Sequence, residues 1–227
     1  MKQNLLSIQQ RIERSAEQCG RQPEDIRLVA VGKTQSVDRV REAIHAGATI
    51  IGENYIQEAR QKYEQLIDLD VQWHYIGHLQ SNKAKYAVRM FDLIHSVDSI
   101  KLAAELDKQA RKIGKRQNIL IQVNIGEAPS KSGLTEKDAA TDIVRIAEME
   151  NLHLQGLMTM PPFFNDPEKA RPYFAALRRL RDSLASNAVL TPDFKELSMG
   201  MTGDFEVAIH EGATLVRIGT ALFGARR

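Results

Sequence analysis

The stretch 27–52, RLVAVGKTQSVDRVREAIHAGATIIG, changes its hydrophobic period twice. Residues 27–32 (RLVAVG) form a short β-rich apolar run, 37–45 (VDRVREAIH) repeats apolar residues at helical spacing, and 49–52 (TIIG) returns to a strand. Ser36 stands where an N-cap belongs, and Gly47 follows the last turn as a C-cap. Strands joined through a helix run parallel, since parallel neighbours need a crossover connection. The same unit recurs outward along the chain. Further strand-like runs lie at 72–76 (QWHYI), 93–97 (LIHSV), 118–124 (NILIQVN), 153–158 (HLQGLM), 196–199 (ELSM) and 214–218 (TLVRI). Helical spacing fills 55–66, 83–90, 100–113, 137–149 and 168–185, with Ser99 as a second N-cap, and 205–210 leads into Gly212 and the last strand. Eight such units predict an α/β fold, either a (β/α)8 barrel or a doubly wound open sheet. Counting strands does not separate the two.

The composition sets the class. The 227 residues are 43% apolar and 26% charged, the balance of a globular chain with a core. With 31 basic and 29 acidic residues the net charge is +2, and no basic stripe marks a nucleic-acid binder. The single cysteine, Cys19, excludes an intrachain disulfide and a Cys-based zinc cluster. No apolar run approaches the ~20 residues that span a bilayer. The N-terminal 1–20 segment reads as an amphipathic helix without a signal-peptide core, so the expected address is the cytoplasm. No linker, repeat or low-complexity tract interrupts the chain, which predicts one domain over 1–227 with the first helix packed on it.

In a barrel, chemistry belongs at the C-terminal strand ends. Lys33 follows the first apolar run at such an end. A lysine beside apolar walls loses hydration, its pKa falls, and the neutral amine attacks carbonyls to form Schiff bases. A solvated lysine opening a loop is the alternative. Strands seven and eight are both followed by glycines and hydroxyls: Ser198, Gly200 and Thr202 in one loop, Gly219 and Thr220 in the other. Backbone N–H groups and small hydroxyls there would cradle a phosphate. Arg217 lies within the last strand on the face of Leu215 and Gly219, which favours an inward direction. His74 and His78 stand four apart, but on a strand running into a loop, so packing or hydrogen bonding is their expected role and no metal site is predicted. Neither a dinucleotide fingerprint nor a P-loop occurs. Arg111-Lys112 and Arg178-Arg179 read as solvated helix faces, and Arg226-Arg227 as a tail.

The motifs VAVGKTQ, GENYIQEA, WHYIGHLQSNK, IQVNI, KSGL, GLMTM, ELSMGMTGDFEVAI and VRIGTALFG occur in one order between Ile26 and Gly224. In this register the chain closely resembles the YggS/PROSC family of pyridoxal phosphate homeostasis proteins. The resemblance implies a (β/α)8 barrel related to the N-terminal domain of alanine racemase. It implies that Lys33 carries pyridoxal 5'-phosphate as a Schiff base. The segment from Ser198 through Met199 and Gly200 to Thr202, with Gly219 and Thr220, would hold the phosphate. Asn54 would sit near the ring substituents, Arg217 by the cofactor, and Ile76, His78 and Met158 would wall the pocket.

Little chain follows the eighth strand, whereas the related racemases carry an additional β domain that supplies a second base. An arginine facing the pyridine nitrogen would also leave the ring a poor electron sink. The expectation is therefore a monomeric carrier without a catalytic residue, serving pyridoxal phosphate homeostasis, with apo-enzymes as recipients. The alternatives are a pyridoxal phosphate enzyme acting on a small amino acid, with His78 or Lys131 as base, a cofactor-free Schiff-base aldolase, and a regulatory partner protein.

Overall fold

The computed structural model describes residues 1–126, 132–185, 187 and 189–224. Lys131 and the Arg226-Arg227 tail lie outside them. Eight strands are present among the described residues: β1 (Arg27–Val31), β2 (Ile50–Glu53), β3 (Gln72–Tyr75), β4 (Leu93–Val97), β5 (Gln117–Gln122), β6 (Leu152–Met158), β7 (Glu196–Met201) and β8 (Leu215–Ile218). They pair in chain order, all parallel, and β8 returns to β1 from Arg27↔Leu215 to Ala30↔Ile218. The sheet is a closed barrel, which decides between the two architectures that strand counting left open. Around it run α1 (Lys2–Gln18), α2 (Val37–His45), α3 (Ile56–Leu66), α4 (Ala84–Met90), α5 (Ile100–Lys112), α6 (Glu136–Ala147), α7 (Arg171–Leu184), α8 (Phe205–His210) and α9 (Thr220–Phe223).

Local chemistry fixes the helix ends. Ser36 Oγ accepts from the Arg39 amide and Ser99 Oγ from the Leu102 amide, both at 3.3 Å. Gly47 adopts φ +113°, and the Ala48 amide reaches back to the Ala43 carbonyl at 3.0 Å, a left-handed stop that a side chain would strain. Most boundaries shift by a residue or two from the periodicity, and two of the differences have a local cause. The long helix expected at 168–185 is a 3-10 turn, Pro167–Ala170, followed by α7, because Pro172 in the first turn offers no N–H for a continuous helix. β5 ends at Gln122, and Val123 instead pairs singly with Leu134.

Strand alternation sorts the core into two shells. Ala30, Ile51, Trp73, Ile94, Ile119, Leu197 and Val216 belong to the large cluster shared with the helices. Val29, Ile50, Leu93, Leu120, Met158 and Leu215 form a separate cluster on the opposite strand face, inside the barrel. The same inward parity carries buried His74, His95, Ser198 and Arg217, so the interior is polar as well as apolar. α1 lies against α8 and α9 and buries Leu5, Ile8 and Ile12, each worth about 2 kcal/mol of apolar burial. Among the described residues no helix is long and apolar enough to cross a membrane.

Candidate functional site

A cavity of about 300 Å³ opens at the C-terminal ends of the strands. Lys33 enters it from the loop after β1, Asn54 follows β2 directly, and Ile76 follows β3. Thr202 follows β7, Arg217 comes from within β8, and Gly219 and Thr220 follow β8. Seven of the twelve expected site residues therefore line one cavity, drawn from five strands. Thr202 Oγ1 lies 3.5 Å from the Ala221 amide and accepts from it, which joins the loop after β7 to the first turn after β8. A Cβ on neighbouring Gly203 would meet nothing within 4 Å, so the backbone there borders open space.

Arg217 is the buried cation of this site. It donates to Ser198 Oγ at 2.6 Å and to the Thr159 carbonyl at 3.0 Å, both neutral groups. Burial lowers its pKa to about 10, against the pull of Asp204. Behind Ser198, His95 Nδ1 stands 2.8 Å from the hydroxyl, and His95 Nε2 stands 3.0 Å from His74 Nδ1. Burial brings His74 down to about 3 and holds His95 well below the ordinary imidazole range. Both rings are neutral at physiological pH. Burial also raises the Asp204 carboxyl on the cavity wall, whose Oδ1 accepts from the Met201 amide at 2.6 Å.

Asn54 presents a buried side-chain oxygen, Oδ1, that has no hydrogen-bond partner among the described residues. Its backbone is tightly placed. The Tyr75 hydroxyl lies 3.0 Å from the Asn54 carbonyl and 3.1 Å from that of His78. Burial pushes this phenol up to about 12, so it remains a donor. A Cβ on Gly77 would fall 2.1 Å from the Asn54 carbonyl oxygen, an approach that only glycine permits.

Five expected site residues stand elsewhere. Ser198 is buried behind Arg217 and reaches the cavity only through it. Met199, one residue on, points the opposite way into the core shared with the helices. Gly200 faces α8, where its φ of +89° and a Cβ 2.6 Å from that of Ala208 leave no room for another residue. Met158 packs inside the barrel with Val29 and Leu120 rather than on the cavity wall. His78 is exposed and turns toward Asp98 at 3.3 Å, because β3 has already ended at Tyr75 and strand alternation no longer directs it. It borders a separate cleft with Gln80 and Lys101.

Other lining residues had not been singled out. Met160, Pro162, Phe163 and Phe164 supply an apolar wall from the loop after β6, and Asp204 completes the β7 side. The available signal was TMPPFF at 159–164, two aromatics directly after a strand end and a proline pair. For His95 it was a histidine, followed by Ser96, inside a short strand whose other residues are apolar. Among the described residues no group of three or more His, Cys, Asp or Glu is gathered as a metal site.

The profile of the family described as alanine racemase, N-terminal domain, matches residues 3–227. A pyridoxal phosphate homeostasis protein of Aquifex aeolicus (strain VF5) is 43% identical over 225 residues, 99% of this chain and 98% of its own. The chain belongs to the pyridoxal phosphate homeostasis proteins. The resemblance carried by its motifs is thereby confirmed. Another similar structure is that of PipY from Synechococcus elongatus PCC7942 with PLP bound, at TM-score 0.83 and 38% identity over 94% of this chain and all of that one. Alanine racemase from Corynebacterium glutamicum shares the fold alone, at 17% identity and TM-score 0.73, and this chain spans 62% of its length. Pyridoxal phosphate homeostasis proteins are thus built on the racemase-type barrel.

Proposed function

We propose that this chain holds pyridoxal 5'-phosphate reversibly as a Schiff base on Lys33 and serves vitamin B6 homeostasis in the cytoplasm without enzymatic turnover. The observation that carries this reading is that Lys33 lines one cavity together with Arg217, Thr202, Gly219 and Thr220. An amine, a buried cation and two hydroxyl-and-glycine loops are the groups that an aldehyde bearing a phosphate requires. The residues fit the cofactor in a further respect. The buried Asn54 Oδ1 would accept a hydrogen bond from a ring hydroxyl and so gain the partner it otherwise lacks. Thr202, Gly219 and Thr220 would hold the phosphate through hydroxyls and backbone N–H groups.

When bound, the cofactor offers an aldehyde carbon that condenses with an amine, releasing one water without any change of oxidation state. The chain's own residues favour storage over catalysis. Arg217 keeps its charge throughout the physiological range, and a ring nitrogen facing it stays unprotonated and a poor electron sink. His78, the histidine expected as a base in an enzymatic reading, borders another cleft. Release would proceed by exchange of Lys33 for an incoming amine, with apo-enzymes as recipients and a monomer as the working unit.

The test is the absorbance spectrum of the purified protein with pyridoxal phosphate, before and after borohydride, beside Lys33→Ala. An imine band that borohydride fixes on Lys33 and that the variant lacks supports the site, and a protein without such a band overturns it. Exchange of amino-acid α-protons with deuterated water at catalytic rates would replace the carrier by an enzyme.

A further inference from the structure

The two peptide groups that flank Lys33 are both gripped by side chains from outside its loop. The Gly32 carbonyl, just before Lys33, accepts from Lys62 Nζ at 2.7 Å. The Thr34 amide, just after it, donates to Glu58 Oε2 at 2.9 Å. One network joins the two grips, because Lys62 Nζ also lies 2.7 Å from Glu53 Oε1 and 3.6 Å from Glu58 Oε2.

The arrangement is costly in ways that a merely stabilising pair would avoid. The side chains of Lys62 and Glu53 are 5% and 0% exposed, and Lys62 occupies the same buried face of α3 as Ile56, Ala59 and Leu66. Burial pushes the Glu53 carboxyl up to about 7 against the attraction of Lys62, and its second oxygen is buried without a partner among the described residues. Apolar residues of similar size usually serve stability as well as a buried ion pair does. Gly32 passes so close that a Cβ there would stand 2.7 Å from Glu53 Oε1. Thr34 has φ +61°, a left-handed conformation that a β-branched residue avoids unless its surroundings impose it. It is the only non-glycine residue with positive φ among the described residues, and it adjoins Lys33.

We propose that Glu58, Lys62 and Glu53 form a positioning unit for Lys33, fixing the peptide planes on either side and so aiming its amine into the cavity. The inference rests on the reading of Lys33 as the Schiff-base residue. None of the three lines the cavity, so they act through the backbone of Lys33 and not on the cofactor.

The experiment is stopped-flow absorbance of imine formation when full-length, cofactor-free protein is mixed with pyridoxal phosphate. Glu58→Ala removes the Thr34 grip at a side chain 37% exposed, so the melting midpoint should stay within a few degrees of the parent. Its rate of imine formation should fall about 10-fold, as expected for a misplaced nucleophile. Glu58→Gln keeps an acceptor and should lose less. Thr34→Gly, added to Glu58→Ala, should recover rate, because glycine takes the left-handed turn unaided. An unchanged rate in Glu58→Ala, or a slow one that Thr34→Gly does not recover, overturns the proposal. Failure of the parent protein to form any imine overturns the reading of Lys33, and this inference with it.

Discussion

Ser198 Oγ accepts from the Arg217 guanidinium at 2.6 Å, and this bond sets the polarity of everything behind it. Arginine only donates, so the hydroxyl proton of Ser198 is left for its other neighbour, His95 Nδ1, at 2.8 Å. A neutral His95 then carries its proton on Nε2 and donates to His74 Nδ1 at 3.0 Å. The barrel interior thereby holds Arg217 in one orientation at the cavity. Ser198→Ala would strand a buried donor and a buried acceptor together, a loss of roughly 2 kcal/mol. Urea unfolding of the cofactor-free protein should show that loss, and a spectral titration should show weaker retention of pyridoxal phosphate. An unchanged unfolding midpoint would mean that Arg217 and His95 find other partners.

The same chain makes the protein sensitive to acid. His74 stays neutral in the fold down to about 3, whereas in the unfolded chain it titrates at its ordinary value of 6.5. Between those values the unfolded state takes up a proton that the folded state refuses. Its contribution is therefore fully present above 6.5 and is lost as pH falls toward 3. At pH 5 the loss from His74 alone is about 2 kcal/mol relative to pH 7.5. His74→Asn should be less stable than the parent at pH 7.5, with that deficit shrinking by about 2 kcal/mol at pH 5. A deficit equal at both values would show that His74 is protonated inside the barrel.

The legible part of this molecule was whatever followed from period and alternation. The change from strand to helix spacing around Lys33 gave the repeating unit, and the parity of Leu215 set Arg217 inward as observed. Closure of the barrel was not legible from strand counting, because strand number alone leaves an open sheet with the same elements. Faces near strand ends failed by one residue. Ser198 and Met199 were read together as cradle, yet successive residues of β7 point to opposite sides. His78 was read as pocket wall although it lies three residues beyond β3, where turn geometry and Asp98 direct it instead. The Lys62–Glu53 grip joins residues nine apart through the packing of α3 on β2, and no local pattern announces that pairing.

The junction of Gly77 with Asn54 offers a steric test of the site. Any Cβ at position 77 collides with the Asn54 carbonyl at 2.1 Å and with its Cα at 2.6 Å. Gly77→Ala must therefore push the two loops apart, at a cost of about 2 kcal/mol in overpacking. Asn54 Oδ1 would move with its backbone, so affinity for pyridoxal phosphate should fall alongside stability. Equilibrium titration of the imine band on protein shown folded by circular dichroism checks this. Undiminished affinity would remove Asn54 from the cofactor's surroundings.

Phe163 is 85% exposed, although it stands on the cavity wall beside Pro162 and Phe164. A large apolar side chain that exposed adds little to the fold itself, so Phe163→Ala should change the stability of the cofactor-free protein by less than about 0.5 kcal/mol. A bound ring in the cavity would give it something to cover. Shielding even part of the phenyl ring from water is worth about 1 kcal/mol, which corresponds to about fivefold in retention. Dissociation of pyridoxal phosphate from Phe163→Ala, followed by the decay of its imine band in the presence of a competing amine, should be faster by that factor. The rate of imine formation should change less, since Lys33 and its supports are untouched. Equal dissociation rates in variant and parent would show that the aromatic wall leaves release of the cofactor entirely to Lys33 and the phosphate loops.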